Sequence, residues 1–596
     1  MTPDFIRGAT RYLFFTGKGG VGKTCSACAT AVALADAGLR VLLVSTDPAS
    51  NLASVLGTPL GREARPVAGV PKLFALNIDP NQAAQAYRER VVGPYRGVLP
   101  AESVAAIEEQ LSGACTVEVA AFDEFTSLLG GGGDEGYDHV VFDTAPSGHT
   151  LRLLSLPAAW SDFLDDHPGG ASCLGPASQL ESQRAHYEAT MRRLADPTQT
   201  TLLLVSRPET IALHEAQRTL DELSRQGMTN ALLIVNGVPR AQSEDLLAVA
   251  LEGAAQRAIT DMPARLASLP CVLLPLRPRN ILGLPALRGF FADETRADPE
   301  ASADLGLPTK ARPLARFVDD LADRGHGLVM LMGKGGVGKT TVATALAVDL
   351  ASRGCPVHLT TTDPAAHLEE ALGASVEGLR VSRIDPEAET AAYRRKVLAD
   401  SAELLDADSL ALLEEDLRSP CTEEVAVFHA FSRAIAGAED EVVVVDTAPT
   451  GHTLLLLDAT GSYHRELIRK LGDEAALTPM SRLRDPDFTR VFVVTLPETT
   501  PIEEASSLVA DLERAGITCG GWVVNRSVSL SGSDDPLLRA RAVAEAPLLA
   551  DVATRAGKLA ILPQLADAPI GPEKLLRLVG SAPRPASTPS ASPLHA

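Results

Sequence analysis

The octapeptide GKGGVGKT occurs twice, at residues 17–24 and 333–340. It fits the G-x-x-x-x-G-K-[ST] spacing, in which glycines let backbone N–H groups turn inward on phosphate oxygens while the following helix offers its positive N-terminus. In the first copy Gly17, Gly19, Gly20 and Gly22 form the cradle. Lys23 is placed to reach the β- and γ-phosphates, and Thr24 to hold Mg2+ through its hydroxyl. The second copy supplies Gly333, Gly335, Gly336, Gly338, Lys339 and Thr340 in the same places. An apolar run precedes each loop (YLFF, LVML) and an alanine-rich stretch follows, the strand–loop–helix setting that a phosphate-binding loop requires.

Each loop carries an extra lysine, Lys18 or Lys334, directly after its first glycine. Taken alone it is a solvated surface lysine; its identical placement in both loops argues for a shared role. Asp47 and Asp363 stand in STDPAS and TTDPAA, and Asp143 and Asp446 close the apolar runs that open FDTAP and VDTAP. A carboxylate at the C-terminal edge of a parallel strand lies where such sheets bind ligands, although D-P and D-T are also turn signals. Asn236 and Asn525 end a further apolar run and are candidates for adenine recognition, with a turn asparagine as the plainer alternative.

Sulfur forms the third group. GACTVEVA (113–120) and SPCTEEVA (419–426) place Cys115 and Cys421 just before an expected helix, with Thr116 and Thr422 as N-caps and glutamates in the first turn. A helix N-terminus favours thiolate there, which suits a soft-ion ligand or a nucleophile, and the nearby glutamates oppose it. An isolated cysteine is more often a small buried hydrophobe. His149 and His452, in DTAP-x-GHT, add imidazoles a few residues past Asp143 and Asp446. Movement at a γ-phosphate would therefore move a ligand shell built on them. Cys25 and Cys28 form C-x-x-C beneath the first loop, where the second half has Thr341 and Thr344, so packing is expected. Cys271, Cys355 and Cys519 border apolar runs and are expected in the core.

What positions these groups is a duplicated chain of 596 residues. The glycine-rich loop, the TDPA segment, the DTAP segment, PET (in SRPET and TLPET) and the VN strand (IVNGV, VVNRS) recur in one order. Each half alternates β-branched runs with alanine- and leucine-rich stretches, which predicts an α/β fold: two tandem homologous phosphate-loop domains, each a mostly parallel sheet with helices on both faces. We divide the chain into halves 1–291 and 328–581, a linker 292–327 with helical character near 314–322, and a disordered Ser/Pro/Ala tail 582–596.

The net charge of −22 disfavours nucleic acid and anionic lipid as partners. No apolar run approaches the roughly 18 residues a spanning helix needs, and the N-terminus lacks a secretory pattern. A cytoplasmic protein is expected. Eight cysteines in so long a chain are too sparse for a disulfide framework. Two complete loops favour ATP hydrolysis driving a conformational cycle over nucleotide storage.

With Lys18 and Lys334 in place, the sequence resembles the deviant Walker A family of dimeric nucleotide switches. The resemblance implies that each extra lysine crosses to the nucleotide of the opposite half, so that the tandem chain is an internal pseudo-dimer and a monomer. It implies catalytic roles for Asp47 and Asp363 on the attacking water, and Mg2+ contacts through Asp143 and Asp446. At the cysteines the likeness narrows to the arsenical pump-driving ATPases, over both halves and every motif. In that family three cysteines bind As(III) or Sb(III), matching Cys115, Cys173 and Cys421 here, with His149 and His452 near the metalloid region. Three thiolates suit so soft an ion. The implied activity is metalloid-stimulated ATP hydrolysis that drives export through a separate arsenite permease, at the inner face of the cell membrane. Whether a metallochaperone delivers the ion, and whether the histidines ligate it, stay open. Cys173 has no second-half equivalent. The related ATPase that targets tail-anchored membrane proteins is the alternative, opposed by only seven methionines and a polar segment after Cys173. A partition switch lacks its basic face here, and an iron–sulfur reductase would carry two ligand cysteines in each half, a count that the lone Cys173 breaks.

Overall fold

The computed structural model describes residues 3–47, 51–96, 114–130, 136–144, 189–292, 308–363, 368–402, 421–448 and 479–580, with short pieces between 100 and 111 and between 406 and 418. The first half contributes β1 (Tyr12–Thr16), β2 (Val41–Ser45), β3 (Arg65–Pro66), β4 (Leu73–Asn77), β5 (His139–Asp143), β6 (Thr200–Ser206), β7 (Ala231–Val238) and β8 (Cys271–Pro275). They form one sheet in the order β3-β4-β2-β5-β1-β6-β7-β8. Only β3 runs antiparallel to its neighbour. The second half contributes β9 (Gly327–Met332), β10 (Val357–Thr361), β11 (Leu379–Arg383), β12 (Val442–Asp446), β13 (Thr489–Thr495), β14 (Cys519–Ser527) and β15 (Leu559–Pro563), ordered β11-β10-β12-β9-β13-β14-β15. Apart from β3 the two orders are the same, so the duplication read in the sequence is a duplication of topology.

These strands are apolar on both faces because helices cover both. Along β1, Leu13 and Phe15 enter one core and Tyr12 and Phe14 the other, the two-residue alternation of a strand. Phe14 stacks on Phe142 of β5 with centroids 4.5 Å apart. Such a pair adds about 1 kcal/mol beyond its buried area. In the second half Val329 and Leu331 face one core while Leu328, Met330 and Met332 face the other.

The helices that matter for function are α1 (Lys23–Asp36), α2 (Ala114–Gly130), α3 (Thr210–Arg225), α4 (Leu246–Thr260), α5 (Lys339–Ser352), α6 (Cys421–Gly437), α7 (Thr499–Arg514) and α8 (Pro536–Arg555). Each of α1 and α5 lies under the centre of its sheet, and their alanines keep that approach close: Ala27 and Ala31, like Ala343 and Ala347, are fully buried. Residues 308–326 pack onto the second half. Leu314, Phe317, Val318 and Leu321 are buried in its core, and Ala311 bridges to Leu559 of β15. A short 3-10 turn (Leu314–Phe317) and a helix (Asp319–Arg324) occupy the stretch read as helical.

Candidate functional site

β1 lies between β5 and β6, with β2 beyond β5. That order sets the first glycine loop beside Asp143 and one strand from Asp47, at the C-terminal edge where the strand order reverses. The second half repeats the arrangement with β9, β12 and β10. The loops require glycine where they cannot tolerate a Cβ. Gly22 and Gly338, at φ 93° and 95°, precede α1 and α5, and a Cβ on either would strike the amide nitrogen of Asn236 or Asn525.

Those asparagines brace the loops. Asn236 Nδ2 donates to the Val21 carbonyl at 2.9 Å, and Asn525 Nδ2 to the Val337 carbonyl at 2.9 Å. Lys23 and Lys339 are buried, and their ammonium groups donate to the carbonyls of Lys18 (3.1 Å) and Lys334 (3.0 Å). Burial lowers both pKa values, against the pull of Asp47 and Asp143 on Lys23 and of Asp446 and Asp363 on Lys339. Burial also pushes Asp143 and Asp446 up to about 6, with Lys23 and Lys339 opposing. Thr340 donates to Asp446 Oδ2 at 2.7 Å, and Thr24 faces Asp143. Both carboxylate oxygens of Asp143 and Oδ1 of Asp446 are buried without a hydrogen-bond partner among the described residues. An oxygen donor set of hydroxyl and orphaned carboxylate beside a phosphate cradle fits a hard divalent cation. The backbone N–H groups of Asp47 and Asp363 are steadied by Ser45 and Thr361 two residues earlier.

The two cradles face each other. A Cβ built on Gly19 would lie 2.9 Å from the Gly335 backbone, and one on Gly336 would strike the Gly19 carbonyl. Across this seam each extra lysine comes near the opposite cradle: Lys334 depresses Lys23, and Lys18 depresses Lys339. Burial pulls Lys334 down, but Glu504 of its own half with Asp47 and Asp143 of the other more than offset it, and its pKa lies above the ordinary value. Lys18 pairs with Glu215 on α3 at 2.5 Å, and Lys334 pairs with Glu504 on α7. Glu504 also accepts from Asn51 of the first half at 2.7 Å, and burial pushes it up to about 7, with Lys334 opposing. Neither glutamate is part of a motif that the sequence alone singles out. Their signal was present: both stand six residues after the glutamate of the repeated PET tripeptide.

Other contacts knit the halves away from the cradles. Asp535 caps α8 and also accepts from the Gln242 backbone (2.6 Å) and the Ser243 hydroxyl (3.1 Å) of the first half. Arg526 pairs with Glu209, and Arg541 donates to the Arg277 carbonyl at 2.8 Å.

The sulfur groups are placed less fully. α2 begins at Ala114 and α6 at Cys421, so the backbones of Cys115 and Cys421 lie inside the first turn rather than ahead of it, and Thr116 and Thr422 are helical residues, not caps. Threonines followed closely by glutamates (Glu118; Glu423 and Glu424) suggested a later start than the chain adopts. The side chains of Cys115 and Cys421, and the whole of Cys173, His149 and His452, lie outside the described residues. Cys25 and Cys28 lie on α1, where burial pushes the first thiol up to about 12 and the second well above its ordinary value. Neither is a thiolate near neutral pH. Cys355 is buried and Cys519 partly so, but Cys271 is exposed, because β8 is the edge of its sheet and the apolar run begins one residue later.

No helix among the described residues is long and apolar enough to cross a membrane. The profile of the anion-transporting ATPase family matches residues 10–293 and 326–483. An arsenical pump-driving ATPase of Acidiphilium multivorum is 53% identical over 95% of this chain and 98% of its own length. One of Escherichia coli is 52% identical over 97% of this chain and its whole length. A putative arsenical pump-driving ATPase of Halobacterium salinarum is 33% identical over 92% and 90%.

Proposed function

The chain belongs to the anion-transporting ATPase family and is an ATP hydrolase; from that premise we propose that it is the metalloid-stimulated motor of an arsenite and antimonite export system, acting with a separate membrane permease. The observation that carries the mechanistic reading is the meeting of the two cradles, with each extra lysine beside the other half's phosphate-loop lysine.

In this reading ATP lies in each cradle, and Lys23 and Lys339 turn from the loop carbonyls they now hold to the β- and γ-phosphates. Thr24 with Asp143, and Thr340 with Asp446, hold Mg2+, which neutralises phosphate charge when bound. Asp47 and Asp363 orient the attacking water. Lys334 serves the first cradle and Lys18 the second, each leaving its carboxylate partner as negative charge develops on the transferred phosphoryl group. Asn236 and Asn525 contact adenine through whatever hydrogen-bonding capacity the loop carbonyls leave free. The functional halves are 1–291 and 328–581, joined by 292–327, of which 308–326 pack on the second half, while 582–596 lie outside the described residues.

The cargo, As(III) or Sb(III), is held by Cys115, Cys173 and Cys421, with His149 and His452 as neighbouring donors. The first-turn positions of Cys115 and Cys421 support this, since a helix N-terminus favours thiolate over thiol. The protein works in the cytoplasm against the inner face of the membrane, through the permease, and can receive its cargo from a metallochaperone. The names borne by relatives that match nearly end to end support the cargo assignment.

The test is steady-state ATP turnover with and without arsenite or antimonite, in the wild type and in Cys115→Ser, Cys173→Ser and Cys421→Ser. Stimulation in the wild type and its loss in each variant are expected. Metalloid-independent turnover in the wild type would overturn the reading, whereas a normal response of Cys173→Ser would remove only the third thiol.

A further inference from the structure

Two residues among those described combine a side chain with a positive φ: Lys72 and Arg526. Arg526, at φ 59°, directly follows Asn525, the residue that braces the second glycine loop. The corresponding position of the first half, after Asn236, is Gly237 at φ 79°. Glycine adopts that conformation freely, and arginine does so only against Cβ–carbonyl repulsion. The second half therefore carries a strained arginine on the backbone where the first has glycine, against which the guanidinium of Arg207 lies.

The guanidinium is not idle. It reaches across the seam to Glu209 of the first half in a forked pair, Nη1 to Oε1 at 2.9 Å and Nη2 to Oε2 at 3.4 Å. Glu209 occupies the N-cap position of α3, yet its carboxylate makes no capping bond to that helix. One and a half turns on, α3 carries Glu215, which holds Lys18. Lys18 lies in turn beside Lys339 of the second cradle. A closed circuit results: from the Val337 carbonyl through Asn525, Arg526, Glu209 and α3 to Glu215 and Lys18, and so back to the second cradle. Among the described residues the first cradle shows no such circuit: at Gly237 it is the guanidinium of Arg207, of the same half, that lies against the backbone, and Glu498, at the N-cap position of α7, faces Arg541 of its own half at 3.4 Å.

We propose that Arg526 is a positioning residue for the second cradle: by clamping Glu209 it fixes α3, and with it Glu215 and Lys18, relative to the loop that Asn525 braces. The pair is forked and partly exposed, so its value is geometric rather than a large gain in stability. The proposal rests on the crossed-lysine reading of the preceding subsection.

Arg526→Gly installs the residue that the first half already accommodates, and it relieves backbone strain, so the thermal midpoint is expected to stay or rise. Turnover of the second cradle is read in a Lys23→Ala background and that of the first in a Lys339→Ala background. Arg526→Gly is expected to lower kcat of the second cradle by about tenfold, with KM changed less than about threefold and the first cradle unaffected. Arg526→Lys, which keeps the charge but not the fork, should fall between. Backbone amide exchange in the full chain provides a readout independent of turnover: residues 210–217 should exchange faster in Arg526→Gly, and residues 499–506 should not. Unchanged exchange at 210–217, or equal loss of turnover in both backgrounds, overturns the proposal. Lys18→Ala separates the two levels. If it leaves second-cradle turnover intact, the crossed-lysine reading fails, while faster exchange in Arg526→Gly would still show the clamp.

Discussion

Asp446 should make the nucleotide-free protein less stable as pH rises, and replacing it should remove that penalty. Its carboxylate is fully buried, Oδ2 accepts from Thr340, and Oδ1 has no partner among the described residues. Burial raises its pKa from 3.8 to about 6. The folded state thus holds a proton that the unfolded chain releases near 3.8, so between those values folding binds protons and stability falls as pH increases. The penalty is absent below about pH 4 and complete above about pH 6, where it amounts to about 3 kcal/mol. Asp446→Asn cannot ionise. In Mg2+-free, nucleotide-free buffer the variant should match the wild type near pH 4 and exceed it by about 3 kcal/mol at pH 8, a rise of about 6–12 °C in the melting of the second half. Scanning calorimetry of both proteins from pH 4 to 8 reads the difference, with Lys339, whose pKa the Asp446 carboxylate raises, as the neighbouring group that also feels the substitution. Adding Mg2+ and a non-hydrolysable ATP analogue should reverse the order at pH 8, because the cation rewards the ionised carboxylate that the variant lacks. A pH-independent gap between the proteins, or an Asn variant that is the less stable at pH 8 without Mg2+, would refute the account of Asp446 as a buried carboxylate awaiting a cation.

Two further perturbations probe the cradle and the seam. Gly338→Ala sets a Cβ against the Asn525 amide at φ 95°, so equilibrium binding of a fluorescent ATP analogue to the second cradle should fall at least about tenfold while the circular dichroism spectrum holds; retained binding would show that the loop yields. Asp535→Ala leaves four donors without their acceptor, the amides of Gln242, Leu537 and Leu538 and the Ser243 hydroxyl, at a fully buried position. Urea unfolding should show a loss of about 3 kcal/mol, and Ser243→Ala a much smaller one.

The cradles were legible because backbone geometry fixes residue type: only glycine serves at Gly17, Gly22, Gly333 and Gly338, so the motif is spelled out in the chain. The strands were legible because sheets covered on both faces need unbroken apolar runs, and YLFF and LVML became β1 and β9. Glu215 and Glu504 were missed, since their one signal is a shared distance from the repeated PET tripeptide, and that spacing does not point to a lysine some 170 to 197 residues away. Asp535 reads as a helix cap and is one; its second pair of donors comes from the other half and has no local signature. Cys271 failed for a related reason, because an apolar neighbourhood fixes a strand but not whether that strand lies at an edge. The start of α2 and α6 was misplaced because a threonine followed by glutamates is as good a first turn as it is a cap.

Joining two copies in one chain has a consequence that a homodimer cannot share. In a homodimer every substitution at the seam appears at both sites, and a residue that strengthens one must strengthen the other. Here position 526 is arginine while its counterpart 237 is glycine, and Asn51, which holds Glu504 over the first cradle, has His367 as its counterpart. The strain at Arg526 is thus borne once, on the side where the clamp acts, and at the first cradle Asn51 bonds directly to Glu504. Different residues at equivalent places around the two lysines allow the two sites to respond to the same nucleotide with different readiness. The residues to exchange between halves in order to equalise them are therefore Arg526 with Gly237 and Asn51 with His367, rather than any member of the two identical loops.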